Sequence, residues 1–272
     1  MRKKVFLFVW AALVFSVAGK AAASNSFQFA PPPFPILNLR SVDAERNISI
    51  DYIGMKMSGF KFDALNYGVS RAVKYWDRGG FSLGGNMQLI MGRGKFSGTD
   101  LTLFGPGMGV QPNFYFDLYG EEDDDFSLPF YFGPHLSGNA VMGSISQSVG
   151  GTTYTTVIAV STLLYGWQAG IQAGVNLGEY IKFIPYIDFS QELGGMVGTS
   201  ISNAYYSASD SVSVKSMPVA SQPGFDFMFR KIGLDLGGSV QNTKSADGSG
   251  TEVKTTVFHI RFQKKFRSIC GI

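Results

Sequence analysis

The sequence predicts an all-β chain folded as an antiparallel transmembrane up-and-down β-barrel of about ten strands, with eight to twelve compatible with the pattern. Three observations predict it. Long segments alternate strictly between apolar and small or polar residues; the connections between them alternate short and long; and 34 Gly, 24 Phe and 12 Tyr accompany only 16% charged residues, where an average soluble domain has about 25%. Beyond the first eighteen residues no apolar run approaches the ~20 residues that a membrane-crossing helix needs, so a helical bundle is excluded.

The chain opens with Met1-Arg2-Lys3-Lys4, an apolar run from Val5 to Ala18, and Ala21-Ala22-Ala23. A basic start, a short apolar core and small residues are the marks of a signal peptide, expected over 1–23 and removed before Ser24. No Cys begins the mature chain. Residues 24–45 hold Pro31-Pro32-Pro33 and Pro35, which cannot sit in a central strand; they are read as an extended lead-in, with a partial plug of the barrel as the sharper alternative.

The barrel is expected over 46–266, with strands near 46–57, 60–74, 79–93, 108–119, 126–142, 162–177, 180–192, 222–230, 231–243 and 252–266. The clearest is Leu163 to Leu177: Leu163, Tyr165, Trp167, Ala169, Ile171, Ala173, Val175 and Leu177 share one parity, while Leu164, Gly166, Gln168, Gly170, Gln172, Gly174 and Asn176 share the other. Alternate side chains of a strand point to opposite faces, so one face is wholly apolar and the other, after Leu164, small, polar and uncharged. The same pattern runs through 81–92, 110–119 and 180–189, with Ile90 and Ile184 as exceptions on the polar side. Such segments are about twice the usual length of a soluble strand. Between Phe60 and Arg71 the apolar parity switches, from Phe60, Phe62 and Ala64 to Leu65, Tyr67 and Val69, which is read as a bulge. Thr99 to Phe104 and Thr152 to Val160 are read as strand extensions or an extra hairpin.

The last strand carries Phe258, Ile260, Phe262 and Phe266 on one parity. It resembles the terminal aromatic strand of bacterial outer-membrane β-barrels, which their assembly machinery recognises; here a tail of 267–272 follows it. The resemblance implies an outer-membrane location in a Gram-negative cell, with outer-membrane lipid and that machinery as partners. Such barrels have short periplasmic turns, long external loops and an even strand number. The short links here lie at Asp77-Arg78, Glu121 to Asp125, Gly178-Glu179 and Arg230-Lys231, which puts both termini in the periplasm. Long external loops are expected after the third, fifth, seventh and ninth strands. One of them, Gly194 to Ser221 with Tyr205, Tyr206 and many Ser, is a candidate partner-binding loop.

Charge and cysteine exclude other classes. A formal charge of +3 with no basic stripe gives no footprint for nucleic acid, and the lone Cys270 cannot form an internal disulfide. No cofactor or metal is expected. Glu121-Glu122-Asp123-Asp124-Asp125 lacks the spaced ligands and turn Gly of a calcium loop and reads as a solvated turn. Gly92-Arg93-Gly94-Lys95 and Gly105-Pro106-Gly107 lack the Ser or Thr of a phosphate loop and read as loop glycine.

Two constellations carry chemistry. His135-Leu136-Ser137-Gly138-Asn139 resembles the His-x-Ser arrangement, with a nearby Asn, of lipid A deacylases and the outer-membrane phospholipase, where His activates Ser as nucleophile. The resemblance implies a catalytic His135, Ser137 and Asn139 facing lipid. The parity of Phe126, Leu128, Phe130, Phe132 and Leu136 instead turns these three inward. The second constellation is the lumen set Asp117, Lys182, Asp188, Asp226, Asp235, His259, Arg261, Gln168 and Gln172. These line either a constriction that selects small solutes or a network of paired charges filling a narrow barrel. The leading expectation is a non-enzymatic barrel, a narrow pore or small-solute channel or a scaffold for surface loops, with a lipid esterase using His135 and Ser137 as the alternative.

Overall fold

A computed structural model describes residues 45–57, 60–96, 99–120, 125–149, 152–204, 206–244 and 252–264. The signal peptide over 1–23, all but the last residue of the lead-in over 24–45, the acidic run 121–124 and the tail over 267–272 lie outside these. All regular structure among the described residues is β: β1 (Glu45–Met57), β2 (Phe60–Trp76), β3 (Gly79–Phe96), β4 (Thr99–Tyr119), β5 (Phe126–Val149), β6 (Thr152–Gln172), β7 (Gly174–Asn176), β8 (Ile181–Asn203), β9 (Tyr206–Val214), β10 (Ala220–Phe229), β11 (Leu234–Lys244) and β12 (Glu252–Lys264).

These twelve pieces make ten barrel strands. β7 continues β6 past Ala173, whose N–H donates to the Pro185 carbonyl at 2.9 Å. β9 and β10 are likewise one return strand: β9 pairs the far half of β8 and β10 its near half, and between them the Met217 N–H donates to Glu192 O at 2.8 Å. Each strand pairs antiparallel with its sequence neighbour, and β1 pairs β12 from Arg46 opposite Lys264 to Lys56 opposite Lys254. That last pairing closes the sheet, so the wall keeps its backbone polar groups satisfied, as a span of hydrocarbon requires.

Three of the four expected long loops are strand instead, and the fourth, over 245–251, lies outside the described residues. β3 and β4 leave only 97–98 between them, β5 and β6 only 150–151, and β8 and β9 only 204–205. Thr99 to Phe104 and Thr152 to Val160 therefore extend β4 and β6 as ladders, and most of 194–221 pairs as β8 and β9. Gly92 and Gly94 lie in β3, and Gly105 and Gly107 in β4, not in loops. The chain thus has a turn end, bearing both ends of the barrel, and a hairpin end where β3–β4, β5–β6 and β8–β9 reach furthest.

The inner and outer faces exchange character between these ends. Near the turn end the outer wall is Leu83, Met87, Leu89, Phe114, Phe132, Leu136, Phe225 and Phe227, and the inner face is Asn47, Asp51, Asn66, Ser82 and Asn113. Near the hairpin end the inner face is Met55, Phe62, Ile90, Leu101, Leu103, Val141, Ile145, Ile158 and Val160, all buried in one cluster, while Lys61, Arg93, Asp100, Thr102, Ser144, Ser146 and Thr155 face out, exposed. This explains the parity switch in β2. The β1–β2 and β2–β3 ladders both run without a break from Phe60 to Ala72, so no bulge is present there; Phe62 and Ala64 point inward, and Leu65, Tyr67 and Val69 outward. At the switch the apolar side of the strand passes from the inner to the outer face; an apolar outer face is one that hydrocarbon suits, and an apolar inner face one that suits a core surrounded by water. Ile90 follows the same rule.

Candidate functional site

The barrel interior holds most of the chain's buried chemistry. At the level of β10 to β12, Asp226 is the hub: its Oδ1 lies 2.6 Å from His259 Nε2, and its Oδ2 accepts from Arg261 Nη1 at 3.0 Å. All three are at most 3% exposed. Strand pairing sets Asp51 opposite His259 and Asp235 opposite Arg261, so three carboxylates surround one guanidinium and one imidazole. From Asp51 a chain of amides crosses the wall: Asn66 donates to Asp51 at 2.5 Å, and Asn86 to Asn66 at 2.6 Å. On the other side the Tyr131 hydroxyl donates to Asp188 at 2.5 Å, and the Gln168 amide donates to Gln111 at 2.8 Å and Asn113 at 3.0 Å. Lys182, fully buried, donates to Ser127 at 3.2 Å.

The glycines of the inner face make room for these groups. A Cβ on Gly170 would overlap the Asp188 carboxylate and the Tyr131 ring; one on Gly224 would enter the Tyr186 ring, and one on Gly174 would strike Lys182 and Ser127. These small residues seat Tyr131, Tyr186 and Lys182, and Tyr115, Tyr131 and Tyr186 pack in one buried cluster.

Asp188, Asp226, Asp235, Lys182, His259, Arg261, Gln168 and Gln172 are all buried on the inner face, and Asp117 is half-buried near the turn end. The structure joins Asp226, His259 and Arg261 into one cluster and sets Asp188 and Gln168 in separate bonds. His135, Ser137 and Asn139 are buried on the same inner face, away from the lipid-facing side that the deacylase resemblance implies. His135 Nε2 faces Glu192 Oε1 at 2.9 Å.

Glu192 and Asp51 were missed although parity turns both inward: Asp51 shares it with Asn47 and Ser49, and Glu192 with Lys182 and Asp188. Just beyond Glu192 the register shifts: Gly166 pairs Glu192 and Tyr165 pairs Gly194, so Leu193 bulges outward and parity reverses.

No family model and no curated protein matches the chain. Solved structures do. The outer membrane protease OmpT from Escherichia coli superposes with a TM-score of 0.52 at 9% identity, over 84% of this chain and 99% of that one. The fold is that of a bacterial outer-membrane β-barrel. The transport unit of the autotransporter AIDA-I from Escherichia coli (TM-score 0.39, 12% identity, 90% of this chain and 97% of that) and a major outer membrane protein from Thermus thermophilus (0.40, 8%, 80% and 99%) are also similar. At these identities the likeness is one of fold.

Proposed function

We propose that the chain is exported by its signal peptide to the outer membrane of a Gram-negative bacterium. There it acts as a closed, non-enzymatic barrel that holds a rigid set of β-hairpins above the lipid. The observation that carries this reading is the burial of the inner face at successive depths. Lys182, Asp51, Asn113 and Asp235 are at 0% exposure in the polar half, and Leu103 and Val141 at 1% in the apolar half, whereas groups lining a water-filled channel keep accessible surface. The hairpin-end residues are placed by strand pairing, which favours a rigid surface over flexible loops.

The test is conductance. Purified protein inserted into planar bilayers is expected to leave them electrically silent at moderate voltage; steady unitary steps would contradict the closed reading and favour the small-solute channel. A second arm addresses the esterase. With Ser137 buried and His135 held against Glu192, the protein is expected to leave the acyl chains of added phospholipid and lipid A intact, and released fatty acid would revive that reading.

A further inference from the structure

Lys254 of β12, Lys56 of β1, Lys61 of β2 and Arg93 of β3 form an unbroken row across four neighbouring strands. Lys56 pairs directly with Lys254 on one side and Lys61 on the other, and Lys61 pairs with Arg93. All four face outward and are exposed. At about 4.8 Å per strand the row spans roughly 15 Å. Like charges set directly opposite one another destabilise a sheet, so local stability gives no reason for four in succession where much of the outer wall near the hairpins is Ser and Thr. Asp63, 3.5 Å from Lys61 and bonded by the Tyr52 hydroxyl, offsets one charge of the four.

The location is as specific as the charge. The row lies at the change from apolar to polar outer wall: Tyr52, Leu65, Leu89 and Phe258 face outward on the same four strands just toward the turn end, and each is strongly exposed. With both termini periplasmic, this boundary meets the outer leaflet, where headgroups begin and acyl chains end. We propose that Lys254, Lys56, Lys61 and Arg93 are a docking row for the phosphate groups of an anionic lipid of the outer leaflet, whose acyl chains lie on the apolar wall below. The inference rests on the outer-membrane placement proposed above. Arg93, whose Nη2 lies 3.2 Å from Met91 Sδ, bridges the charged row and that apolar wall.

The test titrates folded protein in neutral detergent with bisphosphorylated lipid A, with the same lipid stripped of phosphate, and with inorganic phosphate. The wild type is expected to prefer the phosphorylated lipid, and free phosphate to leave that binding unchanged. The K56Q/K61Q/R93Q/K254Q variant is expected to lose the preference, at about fivefold per cation removed, while R71Q/K231Q, which removes two cations near the turn end, keeps it. The gel shift between folded and boiled protein reports folding, and if the quadruple variant fails to fold, K56Q and R93Q singly carry the test. Equal affinity for both lipids, competition by free phosphate, or an unchanged quadruple variant would overturn the proposal. Retention in neutral phosphatidylcholine vesicles is measured alongside: a protein that inserts without phosphate preference contradicts the row alone, and one that does not insert contradicts the placement beneath it.

Discussion

Replacing Asp226 with Ala is expected to cost about 3–5 kcal/mol of stability, because breaking a buried pair leaves uncompensated charge behind. Asp226 holds both His259 and Arg261, and all three are shielded from water by the wall of β10 to β12. Asp51 and Asp235 remain within electrostatic reach of Arg261, which places the effect toward the lower part of that range. Asp226→Asn keeps the shape and an acceptor for Arg261, so its loss is expected to be smaller. Urea unfolding of the refolded barrel in neutral lipid vesicles reads both values; a shift under about 0.5 kcal/mol for Asp226→Ala, the ordinary surface range, would mean that the cluster carries little of the fold.

Two arginine substitutions on β5 are expected to part company although both stand on the outer face. Leu136→Arg is expected to destabilise by about 2–4 kcal/mol, the cost of Arg facing lipid near mid-depth. Ser144→Arg, eight residues nearer the hairpin end and exposed, is expected to stay within about 0.5 kcal/mol, as a substitution in water does. The same unfolding measurement compares them. Equal costs would remove the lipid boundary that the change of face implies.

The fold was legible because its largest signal has period two. Leu163 to Leu177 shows an apolar face and a polar one, and β6 carries that pattern through Gln172 with β7 continuing it. The hairpin-end extensions were harder to read because they invert the pattern: Leu101 and Leu103, or Ile158 and Val160, point into the barrel, so a single rule of apolar outward makes them look like loops or a shifted register. Glycine misled in a similar way. Gly92 faces the Phe62 ring at a distance no Cβ would fit, a packing reason invisible in a stretch that reads Gly-Arg-Gly-Lys. Within the site, parity alone turned Asp226, His259 and Arg261 inward, but which carboxylate meets which cation depends on residues 33 and 35 apart in sequence. That pairing follows from the register of β10, β11 and β12, in which Gly237 stands between Asp226 and His259, not from local pattern.

The barrel reverses its amphipathic sense partway along its strands, with buried inner-face residues on both sides of that level. The most direct measurement places single cysteines along β5 at Leu136, Met142, Ser144, Ile145 and Ser146, in a Cys270→Ser background, and follows reaction with a membrane-impermeant maleimide in intact vesicles. Rapid labelling is expected at Ser144 and Ser146, protection by lipid at Leu136 and Met142, and protection by packing at Ile145. Labelling of Ile145 as fast as Ser144, or of Leu136 as fast as Ser146, would contradict the reversal.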